Sequence, residues 1–185
     1  MEKTIKGTKR LKLNGFDGDY EGDLINGKAH GKGKLTLEVH EYEGEWVEDK
    51  FTGKGKHTVK GELEYEGEWF DNEFHGKGIL YRYGDVYNCN FIKGRIYGKG
   101  KVTFKNGAVY EGDLFGVGLH GMGKLVHPDG KVENGHWYMD KFMGEGEEGK
   151  AKIEAIEHER AEQSRKKEED EEYWRNMIIQ DKVCP

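Results

Sequence analysis

One short segment recurs six times at nearly constant spacing, and this repeat constrains the fold more than any other feature. Its clearest copies have the sequence Tyr-Glu-Gly-Glu-Trp, and successive copies start 22 or 23 residues apart. A Gly-x-Gly pair follows each copy, and its first glycine always comes seven residues after the fifth motif position. Such a short period indicates an architecture in which each repeat packs only on its neighbours. The six copies begin at Tyr20, Tyr42, Tyr65, Tyr87, Tyr110 and Glu133.

Composition fits a thin, repetitive architecture. Glycine supplies 29 of the 185 residues, which is about twice its average share. Only 34% of the residues are hydrophobic and 36% are charged, yet 12% are aromatic and only two are proline. So few aliphatic side chains do not fill a thick two-layer interior, and the aromatic content argues against disorder. We therefore expect one layer of regular structure and no large enclosed-core enzyme fold.

Each motif alternates in the manner of a β-strand. In the second copy, Tyr42, Gly44 and Trp46 lie on one face, and Glu43 and Glu45 lie on the other. Tight-turn dipeptides such as Asn-Gly and Asp-Gly separate the repeats, as expected between antiparallel strands. The pattern predicts a ribbon about 55 to 60 Å long at about 4.8 Å per strand. The alternating segment from Ile5 to Leu13 predicts a half-repeat that caps its N-terminal edge.

The constant seven-residue link predicts an antiparallel hairpin within each repeat. In the second repeat this register pairs Trp46 with Gly53, so that a glycine beside each large ring lets it lie flat across the neighbouring backbone. On the opposite face, the same register brings opposite charges together in several repeats, which supports it. The predicted pairs are Tyr42 with His57, Gly44 with Gly55, Glu43 with Lys56, Glu45 with Lys54, Glu21 with Lys34, Asp23 with Lys32, and Glu68 with Lys77.

The aromatic face is the first candidate site. A single-layer sheet has no second layer to cover this face, so we expect its rings to line a groove for an amphipathic helix or an extended peptide of a partner. The alternative is that the same rings form the protein's own self-sufficient core. The candidate residues are Tyr20, Tyr42, Trp46, Tyr65, Trp69, Tyr87, Phe91, Tyr110 and Trp137.

The C-terminal tail, residues 147–185, differs abruptly from the repeats. Between Ala151 and Lys182 it has neither Gly nor Pro and is dominated by Glu, Lys, Arg and Ala, which predicts a long charged helix. Ile153 and Ile156 are expected to anchor this helix on the last repeat. Near its end an apolar patch lies on two successive turns, and it could dock on a partner, fold back on its own sheet or do neither. The patch comprises Tyr173, Trp174, Met177 and Ile178.

Little in the sequence suggests catalysis, a cofactor or a metal site. Ser164 is the only serine and lies in the tail. Cys89 replaces a motif glycine, which favours a packed thiol over a nucleophile. The histidines His30, His75 and His120 recur in alternate repeats about 19 Å apart, too far to share a zinc ion. We therefore expect a protein that is not an enzyme and that has no cofactor or metal.

Net charge and hydropathy exclude other classes. The net charge is −6, and the repeats have no basic block, so binding to nucleic acid is not expected. No signal sequence or membrane span is apparent. Two cysteines far apart do not form a disulfide framework. These features predict a soluble protein in a reducing, intracellular compartment.

These motifs resemble the MORN repeat (membrane occupation and recognition nexus), and the resemblance covers residues 20–146. It implies an elongated antiparallel meander used as a protein-interaction or assembly scaffold and, in some members, as a lipid-contacting module. Repeat four departs from the pattern at Asn88, Cys89 and Asn90, and repeat six has Glu133 in place of the tyrosine. The predicted domains are a half-repeat cap at residues 1–19, six MORN repeats at residues 20–146, and the charged helical tail at residues 147–185.

The resemblance also guides the functional prediction. Family members occur in ciliary radial spokes, basal structures and membrane junctions, so we expect a non-enzymatic scaffold in a cytoplasmic, cytoskeletal assembly such as the axoneme of a cilium or flagellum. Its predicted partners are other proteins, held in the aromatic groove and by the tail. The alternative is a peripheral membrane module that binds phosphoinositide lipids. Residues 1–146 carry 22 basic and 24 acidic side chains, and this balance disfavours binding to anionic lipids.

Overall fold

The computed structural model describes residues 3–13 and 16–181, with side chains as far as Glu172. In this part of the chain thirteen strands form one antiparallel sheet, in which every strand pairs with the next, and one helix follows. The predicted fold class, a single-layer β-meander with a long C-terminal charged helix, is therefore confirmed. The elements are β1 (Ile5–Leu13), β2 (Phe16–Ile25), β3 (Lys28–Thr36), β4 (His40–Val47), β5 (Lys50–Val59), β6 (Glu62–Phe70), β7 (Glu73–Arg82), β8 (Asp85–Ile92), β9 (Arg95–Thr103), β10 (Val109–Phe115), β11 (Gly118–Val126), β12 (Val132–Tyr138), β13 (Lys141–Gly144) and α1 (Gly146–Asp181).

The sheet consists of one single strand followed by six hairpins. Strand β1 pairs with β2 along its whole length, from Ile5 opposite Leu24 to Leu13 opposite Phe16. Most hairpins turn through two residues with positive φ, as in the β4–β5 turn. This is the geometry of a type I′ turn, whose twist matches that of the flanking strands. Because nearly all pairing is between sequence neighbours, the chain needs no crossover connection.

The predicted flat packing of tyrosine on glycine is confirmed. Tyr65 is fully buried and lies across Gly78, where an added Cβ would meet the tyrosine Oη at 2.3 Å. Its hydroxyl donates a hydrogen bond of 2.8 Å to the carbonyl oxygen of Glu68. Its ring stacks on Phe74 with centroids 3.8 Å apart. The hydroxyls of Tyr20, Tyr42 and Tyr110 make the equivalent bond in their repeats.

The predicted register is correct in only one half of each of the first five hairpins, and in the sixth hairpin no pair follows it. In the second repeat it holds up to Gly44, which lies opposite Gly55. There a β-bulge shifts the register, so Trp46 faces Phe51 instead of Gly53. The bulge places Gly53 at a φ of 57°, a left-handed conformation that glycine adopts without steric cost. A constant link length in the sequence does not reveal a bulge, because the extra residue of the bulge is one of the residues counted in the link.

The bulge also changes which charges meet. Glu43 with Lys56 and Glu21 with Lys34 are opposed as predicted. The pairs predicted beyond the bulge are wrong, namely Glu45 with Lys54, Asp23 with Lys32, and Glu68 with Lys77. Instead, Lys32 faces Glu45 and Lys54 faces Glu68 across the boundary between repeats. Opposite charges therefore link neighbouring repeats as well as the two strands of one repeat.

Helix α1 follows the last hairpin almost at once. Glu147 and Glu148 lie in its first turn, where negative charge stabilises the positive end of the helix dipole. Ile153 and Ile156 are half-buried where α1 packs on β12 and β13, which confirms the predicted anchor. From residue 157 to residue 172 every side chain is exposed, and Arg160 within this range still contacts Tyr138 of the last hairpin. The predicted patch of Tyr173, Trp174, Met177 and Ile178 lies outside the described side chains.

Candidate functional site

The nine predicted groove aromatics form the protein's own core. They come together as one continuous cluster along the sheet, and none of them exposes more than 6% of its surface. The expectation of an open aromatic surface is therefore wrong, and burial does not support these rings as direct partner contacts. The nine residues are Tyr20, Tyr42, Trp46, Tyr65, Trp69, Tyr87, Phe91, Tyr110 and Trp137.

Ring packing between repeats explains how a single layer buries these side chains. The indole of Trp46 lies edge-on to the rings of Tyr20 and Tyr42, with centroids 5.0 and 5.1 Å apart. Its Nε1 donates a hydrogen bond of 3.0 Å to the carbonyl oxygen of Gly33 in the preceding repeat. Each ring is therefore covered by the rings of the next repeat and by glycine backbone below it. A second layer is not needed.

An open groove lies on the opposite, charged face. It has a volume of about 1410 Å³ and extends from β1 to β7. Its floor is the backbone around the facing glycine pairs, such as Gly33 with Gly44 and Gly55 with Gly67. The prediction that the aromatic face forms the groove is thus corrected: large rings fill that face, whereas on this face only strand backbone lies between the charged side chains.

Two rows of charged side chains border this charged groove. Along one side, acidic and basic residues alternate from strand to strand, and opposed partners make ion pairs such as Lys56 with Glu66 at 3.3 Å. This row comprises Glu21, Lys34, Glu43, Lys56 and Glu66. The other row comprises Lys32, Glu45, Lys54, Glu68 and Lys77. Such a surface carries many charges of both signs and little net charge.

Acidic residues at the fourth motif position stabilise the bulges, a role that the sequence analysis missed. A carboxylate oxygen of Asp23 accepts the backbone N–H of Lys32 at 3.0 Å. Asp113 does the same for Met122 at 2.9 Å. Both acceptors sit over a bulge glycine with positive φ. The recurring acidic residue was visible in the sequence, but its partner was assigned in the wrong register.

Turn residues join each hairpin to the preceding one. Asn72 donates its backbone N–H to the carbonyl oxygen of Phe51 at 3.2 Å, and its side-chain oxygen accepts the N–H of Phe51 at 2.8 Å. Asp49 and Asp140 form the same two-bond link in their repeats. In the fourth hairpin the equivalent position is Gly94, which makes only the backbone bond. These links make the ribbon continuous along its turn edge.

A row of exposed apolar side chains lies on the charged face beside these turns. The residue after each five-residue motif is apolar or aromatic in all six copies, and strand alternation turns it away from the core. Phe70, Ile92 and Phe115 occupy this position in repeats three to five, and Tyr97 lies directly opposite Phe115. These four residues, hereafter the apolar row, expose between 53% and 70% of their surface. The sequence carried the signal for this row, but the analysis considered only the motif itself.

The cysteine and histidine residues that could react or bind a metal have structural roles. Burial raises the pKa of the Cys89 thiol to about 11, so at neutral pH it is a packed, protonated side chain, as predicted. The backbone carbonyls of His30, His75 and His120 lie within 3.5 Å of tyrosine hydroxyls beneath the bulges. The residues described by the structure contain no group of three or more side chains able to hold a metal ion. Over that same range, no helix is long and apolar enough to cross a bilayer.

The fold and the repeated site define a class of antiparallel repeat proteins built from 22- to 23-residue hairpins. The MORN repeat model matches five segments of the chain, at residues 20–38, 42–58, 65–84, 90–109 and 118–132. The chain is therefore a MORN-repeat protein. A search of curated proteins finds no match to it. Apart from Val132, the sixth hairpin, β12 with β13, lies beyond the matched segments, and its strand pairing supports the sixth copy found in the sequence.

Membership in this family supports a general function. MORN repeats are commonly scaffolds that bind proteins or lipids. In this chain two surfaces are open for such contacts, the charged groove of repeats one to three and the apolar row of repeats three to five. Both lie on the same face of the sheet, opposite the buried rings.

Proposed function

We propose that this protein is a non-enzymatic scaffold that holds a charged segment of a partner protein in its charged groove. The groove carries this proposal, because it is a large open concavity that runs across seven strands. Its floor is already hydrogen-bonded within the sheet, so the partner is recognised by side chains rather than by strand addition.

The partner segment carries both acidic and basic side chains. The two rows bordering the groove alternate in sign at the spacing between strands, and a segment with interspersed Lys and Glu can match this alternation. A helix or an extended peptide that lies lengthwise fits the groove. Because the charges on both sides are exposed, binding depends on electrostatic complementarity and weakens as salt increases.

The chemistry of the repeats supports a binding role over catalysis. The thiol of Cys89 is buried and its pKa is raised, whereas a nucleophilic cysteine needs a lowered pKa. Some charged-face carboxylates are engaged in ion pairs, such as Glu66 with Lys56 at 3.3 Å and Glu111 with Lys101 at 2.8 Å. These groups stabilise a surface rather than react.

The proposed setting is a cytoskeletal assembly such as the axoneme of a cilium or flagellum, in the cytoplasm. An elongated ribbon with repeat-to-repeat links suits a position in which partners are held at fixed spacing along one face. The exposed helix α1 adds a second point of attachment beyond the sheet.

The test begins with the native complex, purified through this chain from its own cells and analysed by cross-linking mass spectrometry. We expect cross-links from the groove residues Lys54 and Lys77 to a charged segment of a cytoskeletal protein. The identified segment is then bound to the full chain, with Glu43→Lys and Glu66→Lys introduced together. This double variant should weaken binding by about tenfold or more.

A matched control has the same change of charge outside the groove. Glu38→Lys and Glu62→Lys replace two exposed acidic residues near the other edge of the sheet and should leave affinity unchanged. Equal loss in both variants would show that net charge and not the groove governs binding. Recovery of the chain with phosphoinositide vesicles and without protein partners would overturn the scaffold proposal in favour of a lipid-binding module.

A further inference from the structure

Repeat four differs from its neighbours in charge. Residues 86–110 contain five basic and no acidic residues, although the whole chain has a net charge of −6. The acidic motif positions are replaced by Asn88 and Asn90, which leaves Lys77 opposite an uncharged residue. The charged face is therefore locally basic at this repeat, whereas it is balanced in repeats one to three.

The apolar row lies in this basic region. Arg95 is opposite Ile92, and Lys99 follows Tyr97 on the same face of β9. Asp113, opposite Lys99, directs its carboxylate to the backbone N–H of Met122. In the described part of the chain Arg95 and Lys99 form no ion pair, whereas Glu73 lies opposite Phe70 at the β6 end of the row. The surface around Ile92 and Tyr97 thus combines exposed apolar side chains with positive charge, and it fits a segment that is both acidic and apolar.

The tail of the same chain has this composition. Residues 168–172 are five consecutive acidic residues, with exposed side chains on α1. The apolar patch of Tyr173, Trp174, Met177 and Ile178 follows them directly in sequence. From residue 168 to residue 179 a helix spans about 16 Å. The apolar row, from β6 to β10, spans about 19 Å at the usual distance between strands.

Helix α1 already covers the next position of this line of side chains. Tyr138 occupies in repeat six the place that Phe115 has in repeat five, and it is buried. Arg160 of α1 donates a hydrogen bond of 3.0 Å to its hydroxyl and lies over its ring at 5.4 Å. A helix on the apolar row would therefore extend an interface that the protein itself uses.

The geometry favours the tail of another molecule over the chain's own tail. Ile153 and Ile156 fix the start of α1 on the last hairpin, and the helix continues without Gly or Pro. Its side chains from residue 157 to residue 172 are all exposed. An unbroken helix anchored in this way does not fold back: α1 packs on β12 and β13, and its acidic part lies about 33 Å along the helix from its start.

We propose that two copies of this chain associate by exchanging tails, so that residues 168–179 of each copy dock on the apolar row and its basic rim in the other. The exchange is reciprocal and closes as a two-fold dimer. Acidic side chains face Arg95 and Lys99, and the apolar residues of the tail cover Ile92 and Tyr97. This association is independent of the partner held in the charged groove.

Sedimentation equilibrium of the full chain tests the proposal between roughly 1 and 200 µM. We expect the wild type to approach twice its mass of 21.2 kDa as concentration rises. Arg95→Glu with Lys99→Glu, or Asp170→Lys with Glu171→Lys, should each raise the dissociation constant at least about tenfold. The four changes combined restore opposite charges and should recover dimerisation. If each pair of substitutions weakens dimerisation and the four together restore it, misfolding alone cannot explain the weaker dimerisation of the two pairs.

Matched controls change the same number of charges elsewhere. Lys12→Glu with Lys60→Glu, two exposed lysines of the sheet outside the charged groove, and Glu157→Lys with Glu162→Lys on the helix should leave the dimer intact. A wild type that stays monomeric throughout the range overturns the proposal, and cross-links within one monomer from Lys166 to Lys99 would then identify its own sheet as the occupant. A dimer that neither charge reversal weakens also overturns it.

Discussion

Replacing Gly78 by alanine tests the central packing rule of this fold, that each motif tyrosine lies flat on glycine backbone. The added Cβ would lie 2.3 Å from Oη of Tyr65 and 2.5 Å from its Cε2, far inside van der Waals contact. The ring is fully buried and cannot turn into solvent without leaving its neighbours. It must therefore shift by about 1 Å within a packed core.

The cost follows from the contacts that such a shift disturbs. Overpacking a core costs roughly 1–3 kcal/mol. The hydroxyl bond to Glu68 contributes about 1 kcal/mol, and the stacking on Phe74 contributes roughly 0.5–1.5 kcal/mol. Alanine also restricts the backbone of the unfolded chain, which offsets about 0.5 kcal/mol of this loss of stability. We expect Gly78→Ala to lower the free energy of unfolding by about 3 kcal/mol and the Tm by roughly 6–12 °C.

Urea and thermal unfolding, followed by circular dichroism and tryptophan fluorescence, measure this change. Gly118→Ala is the matched control, because its Cβ would meet nothing closer than the Asp140 carboxylate at 3.3 Å and the carbonyl oxygen of Phe115 at 3.6 Å. We expect a change in the free energy of unfolding within about 0.5 kcal/mol. Combining Gly78→Ala with Tyr65→Ala should cost much less than the sum of the two single changes. Equal stability of Gly78→Ala and the control, or simple additivity in the double variant, would refute the reasoning.

Three further outcomes are expected. Gly94→Asn should raise the free energy of unfolding by about 1 kcal/mol in urea titrations. Asparagine tolerates the positive φ at this position, and its side-chain oxygen supplies the missing acceptor for the N–H of Phe74. Unchanged or lower stability would contradict the role of the turn links. Burial raises the pKa of Tyr20 to about 12, so the folded state keeps a proton that the unfolded state loses above about pH 10. The free energy of unfolding should therefore fall from pH 10 to 12, and it should fall less steeply in Tyr20→Phe. Arg160→Ala should speed amide hydrogen exchange in the first turns of α1 and leave exchange in the sheet unchanged, because it removes contacts between α1 and the exposed side of the last turn, at Tyr138 and Met139. Equal protection in α1 would argue against this anchor.

The sequence by itself determined the architecture. A period of 22 to 23 residues, strand alternation and turn dipeptides are local properties, and in a meander the long-range partners are sequence neighbours. For the same reason, the flat packing of Tyr65 on Gly78, the anchor at Ile153 and Ile156, and the register up to Gly44 could all be predicted. The helical tail followed equally from composition, since thirty residues without Gly or Pro leave little alternative.

Only the tertiary structure decided which face is open. The β-bulge at Gly53 shifts the strand register in one half of the second hairpin. The number of residues along the sequence does not distinguish such a bulge from a regular turn. Burial of the rings depends on contacts between adjacent repeats, as the packing of Trp46 on Tyr20 of the preceding repeat shows, and no single repeat contains that contact. Because the rings and the glycine backbone beneath them fill one face, whereas only backbone lies between the charged side chains on the other, the open surface lies on the charged side. The local sequence pattern determines which strands pair, but the packing between repeats determines which surface is accessible to a partner.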